Sequence, residues 1–425
     1  MPSPIRLCLL GMRPDTHPLR RLVILLLLCG LAAPCTYSDW PRWRGANGDG
    51  VSAETAWAPT ALSAGSKTVW QTNVGIGFSN VSIQGNSLYT MGSDISHSFV
   101  YCLDANVGKQ IWKATYECRQ GTYGPQSTPT VSGGLIFTLS TEGHLHCLDA
   151  RTGKLLWARH LVKDFKVVRP YYGFAGSPVI EGNLVLVTGN TGGIGLDKAT
   201  GKLLWTTPPA SWSSDEHPNA TGSEYSTPVL YTRNGKRYVL VQNSGGLCFS
   251  EVATGKPAWS FTWPRSTYKA ADPVLIDNKV FISTVGDAGC ALLAIDSDSP
   301  QVLWQNRNMR NFFTTCVRIG DYLYGCHGDV SIGEGALRCI DLSTGKIKWQ
   351  QDLGGPLCLS AADGKLLILT DRGELHIAEA SPQGYREIAS AQVLERLCWT
   401  PPVLSGGRIY CRDGLGNVAC LDVSK

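Results

Sequence analysis

Leu148-Asp149-Ala150-Arg151-Thr152-Gly153-Lys154-Leu155-Leu156-Trp157 is the stretch on which the fold turns, because it recurs. The pattern is an aliphatic residue, an acid, often a Thr-Gly-Lys turn, and a tryptophan eight positions after the acid. It reads Leu103-Asp104 to Trp112, Leu196-Asp197 to Trp205, Glu251 to Trp259, Ile295-Asp296 to Trp304 and Ile340-Asp341 to Trp349. Two weaker copies follow. In Leu375 to Ala380 the turn is replaced by Ser381-Pro382, and Ile388 stands where tryptophan is expected. Cys420-Leu421-Asp422 opens an eighth copy just before Lys425, and the tryptophan it lacks is supplied upstream by Trp70 in Lys67-Thr68-Val69-Trp70.

That displaced tryptophan sets the expected topology. A ring of four-stranded antiparallel blades closes when an N-terminal strand completes the C-terminal blade, which removes the open sheet edge. The 356 residues from Trp70 to Lys425 divide into eight units of about 44, inside the roughly 40–50 residues of a propeller blade. The sequence therefore predicts an all-β, eight-bladed propeller, closed by the strand around Trp70. Within each unit an apolar run follows a Pro-Val or Gly-Gly signal, a second leads into the acid, and a third carries the tryptophan. Between the last two, Asp-x-x-Thr-Gly is a hairpin turn in which the acid accepts backbone N–H groups and glycine takes the positive φ. The tryptophan is expected to pack between neighbouring blades.

Composition agrees with this reading. With 43% hydrophobic residues, 17% charged residues and 47 glycines, the chain is neither a disordered tail, a coiled coil nor a polytopic membrane protein. The formal charge of +4 comes mostly from Arg6, Arg13, Arg20 and Arg21. The remainder is close to neutral, which argues against a nucleic-acid groove. Leu22 to Ala33 is an apolar run too short to span a bilayer but suited to a signal-peptide core. Residues 1–35 are read as an export signal, with Met12 as an alternative start. Residues 36–66 are read as a head segment packing on the ring, and 67–425 as a single propeller. Cys35 matches a lipid-anchor site poorly, since Pro34 precedes it and Leu31 lies one position too far away.

Asp39-Trp40-Pro41-Arg42-Trp43-Arg44-Gly45, together with the Leu-Asp-Ala-x-Thr-Gly-Lys-x-x-Trp repeat, resembles the pyrroloquinoline quinone (PQQ)-like β-propellers, from about Asp39 to the end of the chain. The resemblance implies the fold but leaves function open among quinoprotein dehydrogenases, BamB-type assembly lipoproteins that bind no quinone, and other exported propellers. The alcohol-oxidising members hold the quinone against adjacent cysteines, with Glu, Asn and Asp around Ca²⁺. This chain has no adjacent cysteines; Glu224, Asp272 and Asn311 are its isolated counterparts.

Other constellations have plainer readings. Cys102, Cys147, Cys339 and Cys420 fill one slot, two before the acid, where other copies carry Gly195, Phe249, Ala294 and Ile377, so they read as packing. No Cys-x-x-Cys pattern occurs. His144-Leu145-His146 is read as a solvated strand face with no third ligand nearby in sequence, and no metal is expected. Asn47-Gly48-Asp49-Gly50 reads as a turn rather than a calcium loop.

Loop length carries the functional expectation. Successive repeat tryptophans are spaced 42, 45, 48, 54, 45 and 45 residues apart, so the excess lies after Trp157 and Trp205, in connections around the channel. Arg169, Tyr172, Trp212, Glu224, Tyr225, Trp263, Arg265, Lys269, Asp272, Arg310 and Asn311 form the expected binding face, since aromatics give contact area and charges fix orientation. The leading expectation is an exported, monomeric, non-catalytic module that binds a protein or glycan in the periplasm or at the cell surface, with no nucleic acid, no membrane span and no cofactor. The alternative is a quinoprotein oxidoreductase that uses PQQ and Ca²⁺.

Overall fold

The repeat closes into a ring. The computed structural model describes residues 38–62, 68–119, 121, 123–189, 192–208, 225–243, 245–263, 269–297, 299–329, 332–395 and 397–425. Eight sheets of antiparallel strands follow one another: blade 1 over 82–117, blade 2 over 130–160, blade 3 over 179–206, blade 4 over 229–262, blade 5 over 274–306, blade 6 over 317–351, blade 7 over 357–392 and blade 8 over 403–422. Blade 8 has three strands of its own, and Thr68–Asn73 adds the fourth, with Trp70 opposite Cys420. The first strands of blades 1 to 3 contact one another in sequence, as do those of blades 5 to 7. The described residues hold one α-helix, Leu161–Phe165, and none long and apolar enough to cross a membrane.

Each repeat residue has a mechanical role. Asp149 Oδ1 accepts the Thr152 N–H at 2.8 Å and its hydroxyl at 2.6 Å, and Asp197 with Thr200 and Asp341 with Thr344 do the same. The turn glycine is then pressed onto the tryptophan of the preceding blade. Gly153 has φ +71°, and a Cβ there would lie 2.6 Å from Trp112 Cε3. The indole N–H reaches across as well, donating to a turn carbonyl of the next blade: Trp112 to Ala150 at 3.0 Å, Trp157 to Lys198 at 3.0 Å, Trp205 to Val252 at 2.9 Å. Trp70 of blade 8 closes the circle on Ala105 of blade 1, at 3.0 Å.

The cysteine slot lies opposite these rings, with Cys102 facing Trp112 and Cys147 facing Trp157. Burial pushes the Cys147 and Cys420 thiols up to about 12, which makes them inert filler.

Two repeat assignments shift. In blade 5 the hairpin is two residues longer, because Ser299-Pro300 replaces the Thr-Gly turn. Trp304 therefore faces Leu292, Ala294 pairs with Gln301 where other blades have the acid, and Asp296 falls in the turn, accepting from Asn278 Nδ2 at 2.9 Å. Leu292, not Ala294, occupies the packing slot. In blade 7 Ala389, not Ile388, faces Ile377 and takes the tryptophan position.

Candidate functional site

The two ends of the channel differ because the chain treats them differently. Toward the end where the first strands finish, residues 38–57 stitch across the ring, while Trp43 and Arg44 reach back to where those strands begin. Trp40 bridges to Ile83 of blade 1, and the Pro41 carbonyl accepts from Val131 of blade 2. The buried Arg44 donates to the Cys316 carbonyl beside blade 6 at 2.9 Å. Val51–Ser52 pairs in parallel with Ala361–Ala362 of blade 7, and Ser52 Oγ donates to Leu404 of blade 8 at 3.0 Å. Gly50, with φ +80°, must be glycine because a Cβ would sit 2.9 Å from Val317 Cγ1.

At the opposite end the chain enters each first strand through a short approach, and two positions of that approach build the site. Two residues before the strand stand Asn80, Thr128, Ser177, Thr227, Asp272 and Thr315 in blades 1 to 6. The backbone N–H of the first five donates to the side-chain oxygen of the next blade: Asn80 to Thr128 at 3.2 Å, Thr128 to Ser177 at 2.9 Å, Ser177 to Thr227 at 3.1 Å, Thr227 to Asp272 at 2.7 Å and Asp272 to Thr315 at 2.9 Å. Gly355 and Pro401 hold the position in blades 7 and 8, and Asn80 Nδ2 reaches the Pro401 carbonyl at 3.0 Å. This polar belt satisfies buried backbone groups that the strands leave behind.

Four residues before the strand stand Phe78, Gln126, Ala175, Tyr225, Ala270, Phe313, Leu353 and Trp399. All but Leu353 line a cavity of about 370 Å³, together with Trp43, Tyr123, Tyr172, Phe312 and polar belt members. The rings form an unbroken arc. Phe312 meets Phe313 at 5.0 Å, Phe313 meets Trp399 at 4.9 Å, Trp399 stacks on Phe78 at 4.8 Å, and Tyr123, Tyr172 and Tyr225 continue at 6.2, 6.1 and 6.0 Å between centroids. Among the described residues the arc runs from Phe312 to Tyr225, and Ala270 of blade 5 stands between its ends, beside the buried Asp272. Its Oδ2 accepts the Trp43 indole N–H at 2.6 Å, so the head segment also supplies part of the cavity wall. Burial pushes the Asp272 carboxyl up, against the opposing pull of Arg44, the Thr227 N–H and the Trp43 indole.

The structure brings together three residues of the expected face, Tyr172, Tyr225 and Asp272, in this cup. Arg169 instead holds its own loop through the Pro170 and Tyr171 carbonyls. Trp263 is buried in the core between blades 4 and 5, and the fully buried Lys269 reaches the Trp263 carbonyl at 3.4 Å. Arg310 lines a separate cavity of about 470 Å³ with His327 and Glu334. Asn311 is buried against blade 6, donating to Cys326 O at 2.8 Å and accepting from Cys316 Sγ at 3.2 Å. Trp212, Glu224 and Arg265 lie outside the described residues. Sequence reasoning passed over Trp43, Phe78, Tyr123, Phe313 and Trp399. A Ser, Thr or Asp two positions before the first strand marks blades 2 to 6 and fixes the mouth position two residues earlier, which among the missed rings finds Phe313.

A protein-family model described as outer membrane protein assembly factor BamB matches residues 96–351 and 333–425. No curated protein matches the chain. Among solved structures, BamB from Moraxella catarrhalis is 17% identical with a TM-score of 0.61, covering 84% of this chain and 97% of that one. The quinohemoprotein alcohol dehydrogenase of Comamonas testosteroni is 13% identical with a TM-score of 0.65, covering 91% and 80%. A europium-containing methanol dehydrogenase is 12% identical with a TM-score of 0.64, covering 91% and 98%. At these identities the likeness is one of fold.

Proposed function

The chain belongs to the family of PQQ-like propellers described as outer membrane protein assembly factor BamB, and from that premise we propose that it is an exported, non-catalytic binding propeller of the cell envelope. Its channel-mouth cup receives an apolar or aromatic side chain of a partner protein. The observation that carries this reading is the arc of seven rings around a cavity of about 370 Å³. Concave aromatic pockets with few polar groups are where protein partners anchor their strongest contacts.

The donor set supports a cofactor-independent reading. Ca²⁺ takes about six to eight oxygen ligands, carboxylates prominent among them. Among the described lining residues the one carboxylate is Asp272, and both its oxygens already accept hydrogen bonds, from Trp43 and Thr227. Asn311 is turned into blade 6. The described residues thus do not fit a quinone–calcium pair.

A photo-crosslinking residue placed at Tyr172 tests the proposal in cells that make the full chain. The expected result is a covalent adduct to one envelope protein, lost when Trp399→Ala is added. Crosslinks to glycan alone, or a stoichiometric chromophore with dye-linked substrate oxidation after addition of PQQ and Ca²⁺, would overturn it.

A further inference from the structure

The His144-Leu145-His146 strand has neighbours that its sequence does not show. Cys118 directly follows the outer strand of blade 1, Glu142 lies in the turn before the third strand of blade 2, His144 opens that strand, and ligand atoms of all three lie within 4.8 Å of one another. His160, at the end of the outer strand of blade 2, is paired in register with His144, and the two imidazole centroids are 4.6 Å apart. Cross-strand partners in such a pair share one sheet face. We propose that Cys118, Glu142 and His144, with His160 beside them, bind a Zn²⁺ ion that ties blade 1 to blade 2.

The donor chemistry selects the metal class. A thiolate, an imidazole and a carboxylate are the ligands of tetrahedral zinc sites, whereas Ca²⁺ and Mg²⁺ take oxygen alone. Zinc distances of about 2.0–2.3 Å set ligand atoms roughly 3.4–3.6 Å apart. The cluster therefore needs to contract by at most about 1.4 Å, within reach of a partly exposed glutamate side chain. Two further observations point to a ligand. Ser140 Oγ lies 3.0 Å from His144 Nδ1 and also accepts the His144 backbone N–H at 3.0 Å. An outer partner on one ring nitrogen is how histidine ligands are oriented, and Nε2 is left for the metal. His160 Nδ1 is buried with no hydrogen-bond partner, a polar atom that invites an unseen one. Glu142 and His144 are partly exposed, which gives the ion a path in. His146 is set apart, buried edge-on against Tyr116 at 4.4 Å between centroids.

The test is titration of untagged full-length protein with Co²⁺, the spectroscopic stand-in for zinc, followed by Zn²⁺. The expected result is one cobalt per chain, with a thiolate-to-cobalt band in the near ultraviolet and intense visible bands of tetrahedral cobalt, all bleached by zinc. Zinc should also raise the melting temperature, since it binds only the folded ring. Cys118→Ser should abolish the near-ultraviolet band, and Glu142→Gln should weaken affinity by about tenfold or more. Glu142→Gln alters a partly exposed side chain and serves if Cys118→Ser fails to fold. Absence of stoichiometric binding by the wild-type chain, an unchanged cobalt spectrum in Cys118→Ser, or unchanged affinity in Glu142→Gln would each overturn the proposal.

Discussion

The docking position and the mouth position each occur once per blade, yet they are filled in opposite ways. The first is tryptophan in every blade but one, from Trp112 round to Trp70, and each indole whose bond is described reaches a carbonyl of the following blade. The second runs Phe78, Gln126, Ala175, Tyr225, Ala270, Phe313, Leu353, Trp399 with no rule of size or polarity. A position that repeats meets the same neighbours eight times and answers to architecture. A position that varies while its backbone repeats is free of that demand, so its residues answer to whatever the channel mouth receives.

Truncating a member of the uniform position should have the largest effect. Trp205 is 8% exposed, lies against Gly195 and Gly255, and bonds Val252. Trp205→Ala leaves a cavity between blades 3 and 4 and is expected to cost about 3–5 kcal/mol, read from the urea midpoint. A loss below about 1 kcal/mol would mean that the ring tolerates an empty dock, and the contrast between the two positions would collapse.

The polar belt is an intermediate case, uniform in chemistry but not in residue type. Thr128 is fully buried and lies outside the cup, and its hydroxyl accepts the Asn80 N–H. Thr128→Val keeps the shape and strands that donor, so it should cost about 1–3 kcal/mol without altering partner capture. If capture fell with stability, belt and cup would be one unit rather than two.

The same division explains what could be read from the sequence. Blade number and ring closure by Trp70 follow from identical residues at identical spacing, and the cysteines read as packing because other apolar residues fill the same slot in other copies. Blade 5 misled the register because Asp296 keeps the eight-residue interval to Trp304 by coincidence, while Pro300 lengthens the hairpin. Trp43 was invisible as a cavity residue because the head segment has no copy to align with. Phe78, Phe313 and Trp399 were invisible because the mouth position they share repeats in backbone and not in residue type. Cys118 and His160 are brought to His144 only by blade stacking and strand pairing, which no local motif records.

The mouth position should show the smallest cost in stability and the largest in binding. Trp399 is half-buried, stacked on Phe78 at 4.8 Å and against Phe313 at 4.9 Å. Offset ring pairs contribute about 0.5–1.5 kcal/mol each beyond area burial, and in Trp399→Ala solvent or a neighbouring ring can fill the opened space. The expected urea shift is therefore about 1–2 kcal/mol, well below that of Trp205→Ala, although the same residue type is removed. Capture of the partner at Tyr172 should nevertheless disappear, because the arc loses the ring that joins its blade 6 and blade 1 halves. Equal destabilisation by the two tryptophan truncations would make Trp399 another structural dock. Unequal destabilisation with capture intact would leave the arc without the role its irregularity suggests.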